Sequence, residues 1–404
     1  MNKKKGIILA SISFTFMFGC MVNAATFKQT EADANSVKVE WDAGGVTDVQ
    51  ISPDINVDDS DFSYEVPRGK KEYTFNRLGS ESLASGTSYF VRFKQNNTWS
   101  DSMEISTAPN ASELSETAKQ TSVDKNGATI TWGTAYGATG YIIYTPKSNL
   151  SSSVKKVASV NTNTATIKID KTTTFRIVPV RKLSTGLLVI DKQKRGVTLS
   201  GVRPFPKKVK KNKQVKEISL SDDKIKVEWQ KMDDVDGFQL QYYNYKNKGK
   251  KNIKLSGFEH IATLSSKKMS FMKFKVRAYV LIGKKKVYGA WSKEAVVSPD
   301  ITRATFSIKE KDCGSHPEAD LTWKKVKGAK KYEVYMSTSF DRGYKKIATT
   351  KKTKLHVSRY AGSQMRFAVH YYFKVVGVTK INKKKYHTLN KSYKGFMMNR
   401  LGRR

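Results

Sequence analysis

A tryptophan recurs in nearly the same setting four times along the chain. Each one ends a short run that alternates apolar and polar residues, and the four are Trp41 in VKVEW, Trp132 in ATITW, Trp229 in IKVEW and Trp323 in ADLTW. Their separations are 91, 97 and 94 residues. Such alternation is typical of β-strands, and a fixed period of domain size indicates repeated modules, each with its own core.

The sequence that follows each tryptophan repeats as well. Nine residues after the last three tryptophans, and beyond a glycine-containing turn, stand the aromatic residues Tyr141, Phe238 and Tyr332. A further aromatic-led strand follows in every unit, as YFVRF, FRIVPV, FKVRAY or YFKVVGV. This order of tryptophan, turn, Y-x-V-Y and Y-x-F-K-V resembles the fibronectin type III domain, in the version found in secreted proteins of Gram-positive bacteria. The first unit departs from the pattern, because Gln50 stands where the aromatic is expected.

The resemblance covers nearly all of residues 27–398 and implies an all-β chain of tandem immunoglobulin-like sandwiches. It also implies that the four tryptophans lie between two sheets, and an indole of about 200 Å² does require a two-sided core. We therefore assign the four tryptophans, with Tyr141, Phe238 and Tyr332, to the structural core. The predicted segments are a signal peptide at 1–24, four domains at 25–108, 109–202, 203–298 and 299–398, and a basic tail at 399–404.

The N-terminus has the features of an export signal. Three lysines at positions 3–5 precede an apolar run from Gly6 to Val22, and small residues at Val22 and Ala24 predict cleavage before Ala25. The run of 17 residues is shorter than the ~20 that a transmembrane helix needs. A retained anchor and a lipoprotein signal ending at Cys20 are the alternatives. We expect a secreted, extracellular protein without a membrane span in its mature chain, and association with the cell wall stays open.

The small number of cysteines agrees with an exported protein that is not stabilised by disulfide bonds. Removal of the signal, which contains Cys20, leaves Cys313 alone in the mature chain. An intramolecular disulfide is then impossible, so each domain must rely on its own core. An intermolecular disulfide through Cys313 remains open, as does the oligomeric state.

The charge of the chain is strongly positive and unevenly distributed. Lys and Arg number 74 against 35 Asp and Glu, which gives a net charge of +39. Residues 27–108 carry eight basic and 14 acidic side chains, a net −6, whereas 109–202 carry +8, 203–298 carry +15 and 299–404 carry +19. The net positive charge thus increases toward the C-terminus, and this favours an anionic partner for the C-terminal half of the chain.

Three lysine clusters are the predicted contacts to such a partner. Two occupy the hairpin before the last strand of their units and one lies in a loop, and they comprise Lys284, Lys285 and Lys286, then Lys383, Lys384 and Lys385, and finally Lys248, Lys250 and Lys251. The candidate ligands are teichoic acid, glycosaminoglycan and extracellular DNA. Lysine greatly outnumbers arginine, the usual base reader, so we predict no sequence-specific nucleic-acid binding. The alternative is that the lysines only solubilise the sandwiches and block edge pairing.

The sequence carries no catalytic signature. It contains no HExxH, GxSxG, P-loop or GxGxxG motif, so we predict neither an enzyme nor a cofactor. Acidic and polar residues from Asp54 to Glu65 have the spacing of an EF-hand loop, but Asp59 replaces its glycine. We interpret the segment as a solvated loop, and calcium binding there stays open. The expected function is non-catalytic binding or adhesion. The alternative is a structural spacer or a protein–protein assembly module without a polyanion ligand.

Overall fold

The computed structural model describes residues 26–114, 118–146, 154–214, 224–265, 269–301, 305–389 and 393–399. In these residues the chain forms β-strands and a single turn of 3-10 helix at Ala111–Leu114, and no helix there is long and apolar enough to cross a membrane. The predicted signal peptide with Cys20, and the tail beyond residue 399, lie outside the described residues.

The strands group into four modules. Module 1 consists of β1 Phe27–Ala32, β2 Val37–Trp41, β3 Val46–Ser52, β4 Phe62–Glu65, β5 Glu72–Phe75, β6 Arg77–Leu78, β7 Glu81–Ser82, β8 Ser88–Gln95, β9 Thr98–Trp99 and β10 Met103–Ser106. Module 2 consists of β11 Lys119–Val123, β12 Ala128–Thr131, β13 Gly140–Pro146, β14 Val154–Val160, β15 Thr164–Ile167, β16 Thr173–Lys182, β17 Leu188–Ile190 and β18 Val197–Val202.

The C-terminal modules continue the series. Module 3 consists of β19 Lys213–Gln214, β20 Lys224–Glu228, β21 Gly237–Asn244, β22 Lys251–Ser256, β23 Ile261–Ser265, β24 Met272–Ile282, β25 Lys285–Tyr288 and β26 Ala295–Val297. Module 4 consists of β27 Phe306–Asp312, β28 Pro317–Trp323, β29 Lys331–Ser337, β30 Lys345–Thr350, β31 Lys354–Val357, β32 Arg359–Tyr360, β33 Ser363–Gln364, β34 Tyr371–Ile381, β35 Lys384–His387 and β36 Lys394–Phe396.

Every module contains the same two antiparallel sheets. In module 3 the three-stranded sheet has the order β19-β20-β23, and the five-stranded sheet has the order β22-β21-β24, with β25 and β26 both paired to β24. The last strand is likewise broken in two in the other three modules. This is the strand order of the immunoglobulin-like fold that the resemblance to fibronectin type III domains implies. The predicted all-β class of tandem sandwiches is therefore confirmed.

The described residues fall into two compact units. The first lies within 1–119, 131–165 and 174–200, and the second within 120–130, 166–173 and 201–404. In modules 1, 3 and 4, apolar side chains from both sheets form a buried cluster. These clusters follow from the period-2 pattern, because alternate residues of a strand point to one face of its sheet.

The four repeated tryptophans are buried, with 3–6% of each residue exposed. Each one donates its backbone N–H, over 3.0–3.1 Å, to the carbonyl of the residue just before an edge strand of the three-stranded sheet, which is β5, β15, β23 or β31. In modules 2, 3 and 4 the ring meets that of Tyr141, Phe238 or Tyr332 edge-on, with centroids 5.3–5.5 Å apart. The second aromatic fixes the orientation of the indole in these three modules.

Module 1 lacks this partner because the turn after its tryptophan is shorter. The next strand begins at Val46, five residues after Trp41, whereas it begins at Gly237 in module 3, eight residues after Trp229. The pairing of β3 with β8 also shifts by one residue at a bulge between Val46 and Asp48. Val49 and Ile51 are then the core residues, so Gln50 between them points to the opposite face, where its side-chain oxygen accepts the Nε–H of Arg92 over 2.7 Å.

The ring of Trp41 is packed by different residues. Phe27 of β1 stacks on it with a centroid distance of 5.2 Å and an interplanar angle of 4°. Phe93 of β8 in turn stacks on Phe27, with a centroid distance of 4.4 Å. The aromatic support that strand β3 does not supply thus comes from two other strands, and the core of module 1 is retained.

Candidate functional site

The two lysine triplets lie at tight hairpins. Gly283, with a φ of 57°, and Lys284 form the turn between β24 and β25, and Asn382 and Lys383, with φ of 49° and 64°, form the turn between β34 and β35. The other two lysines of each triplet belong to the following strand. Successive side chains of a strand point to opposite faces, so neither triplet presents one three-lysine surface.

The second triplet is also tied to the sheet. The ammonium of Lys385 lies 3.3 Å from a carboxylate oxygen of Glu333, whose side chain is only 7% exposed. Burial acts to raise the pKa of Glu333, but hydrogen bonds from Tyr335 and Lys385 outweigh it and hold the pKa below its usual value. Lys385 is therefore engaged within module 4, while Lys383 and Lys384 are exposed.

The lysines of the third cluster surround the turn between β21 and β22. Lys248, Lys250 and Lys251 are exposed. The amide oxygen of Asn244 accepts the backbone N–H of Lys248 over 3.0 Å and shapes this turn. The three ammonium groups are thus presented to solvent from an ordered loop.

A more organised cationic surface lies on the outer face of the five-stranded sheet of module 3. There, cationic side chains alternate with aromatic rings, and we call this surface the cation–aromatic ladder. It consists of Lys275, Arg277, Tyr279, Lys286, Tyr288 and Trp291.

Arg277 occupies the centre of the ladder. Its guanidinium carbon lies 4.0 Å from the ring centroid of Tyr288 and 4.5 Å from that of Trp291. Its Nε donates a hydrogen bond to the side-chain oxygen of Gln239 over 2.8 Å. Two rings and one hydrogen bond hold the planar group in a single orientation, and such stacking contributes about 0.5–1 kcal/mol per contact at exposed sites.

Two lysines flank this arginine. The ammonium of Lys286 lies 4.2 Å from the ring of Tyr279, and that of Lys275 lies 4.7 Å from the ring of Trp291. Within the described part of the chain, none of the three ladder cations has a carboxylate within ion-pair distance. Among the described residues the ladder therefore presents three cations without an ion pair, although the charge of Lys275 also acts on the Glu294 carboxylate over a longer distance.

The position of the ladder depends on the last strand of module 3. Ser292 exchanges two hydrogen bonds with the backbone of Val276, since its N–H donates over 2.8 Å and its hydroxyl accepts over 2.9 Å. These bonds place the preceding residue, Trp291, against the cations of β24. In module 1, Ser100 makes the same pair of bonds to Phe93.

A polar cluster around the buried side chain of Lys273 lies beside the ladder. The ammonium of Lys273, in a residue that is 3% exposed, contacts the Glu294 carboxylate at 2.9 Å and the Asn247 side-chain oxygen at 3.1 Å. The second Glu294 oxygen accepts the hydroxyl hydrogen of Tyr243 over 2.5 Å. Burial acts to raise the pKa of Glu294, but the bonds from Tyr243 and Lys273 outweigh it, so its pKa is lowered. Both carboxylate oxygens of Glu294 are therefore already bound by Lys273 and Tyr243.

Of the nine lysines that the sequence singles out, only Lys286 belongs to the ladder. The alternation in FKVRAY indicates three other members of the ladder, because it puts Lys275, Arg277 and Tyr279 on the face opposite Phe274 and Val276. The repeated Trp-Ser pair, at Trp99 and Trp291, was a second signal. What the sequence does not show is which rings reach which cations, since this depends on strand register.

In the acidic loop of module 1, from Asp54 to Glu65, carboxylates accept hydrogen bonds from backbone N–H groups of the same loop. Asp54 accepts the backbone N–H of Asn56 over 3.3 Å, and Asp58 accepts that of Ser60 over 2.8 Å. In the residues that the structure describes, no group of three His, Cys, Asp or Glu side chains is placed to hold a metal ion.

Cys313 is exposed at the hairpin between β27 and β28. A hydrogen bond with the negatively charged Glu318 raises the pKa of its thiol. Because the thiolate is the reactive form, we expect slow alkylation of Cys313 at neutral pH and a several-fold faster reaction in Glu318→Gln, measured with iodoacetamide on residues 25–404 across pH. Equal rates in the two proteins would contradict this assignment.

The chain has few matches among known proteins from which to argue. No protein-family model matches the chain, and no curated protein matches it. Among solved structures, the chain is similar to the crystal structure of chicken CNTN1 FN1-FN3 domains, at 15% sequence identity, over 67% of this chain and 96% of that chain, with a TM-score of 0.25. The fold assignment accordingly rests on the strand order of the modules themselves.

Proposed function

We propose that this chain is a secreted, non-catalytic binding protein whose basic modules 3 and 4 contact an anionic polymer of a cell envelope or matrix. The observation that carries the proposal is the cation–aromatic ladder, with three ordered cations that lack an acidic partner in the described residues. The net charges of +15 and +19 in the two C-terminal segments supply the attraction over longer distances.

The mechanism is multivalent. Each lysine or arginine that meets a phosphate or sulfate releases a counterion, so affinity rises with the number of contacts and falls steeply with salt. The ladder and the exposed lysines of the three clusters are separate patches along one chain. Contacts that are individually weak then reinforce one another through effective concentration.

A structural spacer is the second candidate function, and the junction of modules 3 and 4 favours it. Met269 and Phe271 precede the strand β24 of module 3, yet both belong to the buried cluster of module 4. The backbone of Lys327 exchanges hydrogen bonds with both, over 3.0 and 3.2 Å. A junction that shares its core holds two modules in fixed register, which suits a spacer as well as a binding surface.

Retention on Gram-positive cell walls separates the two candidates. Purified 25–404 would be applied to walls with and without teichoic acid across a salt series. Under the binding proposal, retention falls steeply with salt and is lost when teichoic acid is removed. Retention that responds to neither would contradict polymer binding and leave the spacer function.

Serine substitution of both lysine triplets tests their share in the binding. Each lysine that contacts a phosphate contributes about 0.7–0.9 to the slope of log affinity against log salt. We expect the slope of the six-fold variant to fall by less than six contacts would give, because Lys385 is engaged with Glu333. The control variant replaces Lys351, Lys352 and Lys354 by serine, and its effect is compared per lysine removed. An equal loss per lysine in both variants would show that net charge, and not the triplets, governs retention.

A further inference from the structure

The acidic first module contains a smaller version of the ladder, and it shows what such an arrangement binds. Arg92 lies with its guanidinium carbon 4.7 Å from the ring of Trp99, and its Nε donates to the side-chain oxygen of Gln50 over 2.7 Å. One terminal nitrogen of Arg92 then donates to the carboxylate of Asp59 over 2.8 Å. In module 1, the arginine held by tryptophan and glutamine thus binds an oxyanion, the carboxylate of Asp59.

Module 3 has the same three residue types without the oxyanion. Arg277 stacks on Trp291 at 4.5 Å and donates its Nε to Gln239 over 2.8 Å, as Arg92 does to Gln50. No carboxylate of the described residues lies within ion-pair distance of Arg277. The nearby Glu294 is bound to Lys273 and Tyr243. The N–H groups on the terminal nitrogens of Arg277 therefore have no acidic partner among the described residues.

We propose that Arg277 is the residue of the ladder that holds an oxyanion of the polymer, a phosphodiester or a sulfate ester, through its terminal nitrogens. This rests on the proposed function and names its site. A guanidinium that is already fixed by two rings and Gln239 loses little freedom on binding and presents its N–H groups as a planar fork. Lys275 and Lys286 attract the polymer without fixing its orientation.

The substitution Arg277→Lys tests this role, because it keeps the charge and the contact with the rings but removes the fork. We expect affinity for teichoic acid or heparin to fall about tenfold at fixed salt, as loss of a charged hydrogen bond implies, while the salt slope stays the same. Arg92→Lys is the matched control, since the arginine of module 1 is already paired with Asp59. It should bind within twofold of the unsubstituted protein. Unchanged thermal unfolding would show that both variants fold.

The two polymers distinguish the sources of the oxyanion, since teichoic acid supplies phosphodiesters and heparin supplies sulfate esters. A larger loss on one of them identifies the group that Arg277 holds. If the unsubstituted chain binds and Arg277→Lys binds equally well, or if both lysine variants weaken alike, the assignment of Arg277 is wrong and the proposed function stands. If the unsubstituted chain binds neither polymer at any salt concentration, both proposals fall.

The converse substitution is made in module 1. Asp59 is almost fully exposed, and Asp59→Asn removes the negative charge that pairs with Arg92 without altering a core. We expect a two- to threefold rise in affinity for the polymer. Asp54→Asn, which changes the net charge equally and removes no arginine partner, serves as the control. An equal rise in both variants would contradict the proposal that the Trp–Gln–Arg unit itself binds oxyanions.

Discussion

Replacement of Phe271 by alanine is expected to destabilise module 4 by about 3–5 kcal/mol, although the residue immediately precedes a strand of module 3. Phe271 is fully buried and belongs to the same buried cluster as Trp323, Tyr332 and Phe373 of module 4. Truncation would leave a cavity that this core cannot fill, because its neighbours come from two modules and the backbone of Lys327 is hydrogen-bonded to both Met269 and Phe271.

Hydrogen exchange of the full chain would measure this effect module by module. The expected result for Phe271→Ala is faster exchange in β29 and β34 of module 4. Phe274→Ala is the matched control, because Phe274 is equally buried but lies in the cluster of module 3. If Phe271→Ala accelerated exchange only in module 3, the shared core would be refuted, and each module would be stabilised by its own side chains alone.

The sandwiches were predictable because their signals are local. A tryptophan at the end of an alternating run must be buried by a second sheet, and four copies at similar spacing predict four modules. The core partners Tyr141, Phe238 and Tyr332 follow from a constant turn length. The same rule misplaced Gln50, because the shorter turn after Trp41 and the bulge between Val46 and Asp48 together move the ninth residue to the face opposite the core.

The candidate site was less predictable because it depends on contacts between strands. The tight turn at Gly283 and Lys284 sets the register in which Tyr288 faces Tyr279. The break in the last strand then places Trp291 over β24. A lysine triplet is visible in the sequence, whereas a guanidinium held between two rings requires both of these alignments. The positive charge of the surface could be predicted from the composition, whereas the arrangement of its cations among aromatic rings could not.

Replacement of Lys273 by methionine is expected to destabilise module 3 by about 2–4 kcal/mol. The substitution preserves most of the buried aliphatic volume but leaves the Glu294 carboxylate without its cation. That side chain is 29% exposed, so water partly compensates the charge and the cost stays below that of a fully buried ion. Asn247 also loses its donor at 3.1 Å. Chemical unfolding, with hydrogen exchange in β24 to assign the transition, would measure the loss.

Two further variants separate the effect of the Lys273–Glu294 ion pair from that of net charge. Lys275→Met removes the same charge two residues away on the ladder, where the ammonium is not paired, and should cost less than about 1 kcal/mol. Lys273→Met combined with Glu294→Leu removes both charges, and it should recover much of the loss, because the cost comes from an uncompensated carboxylate rather than from a missing contact. A double variant as unstable as Lys273→Met alone would show instead that the bonds of the cluster, including that from Tyr243, are what hold the last strand to the sheet.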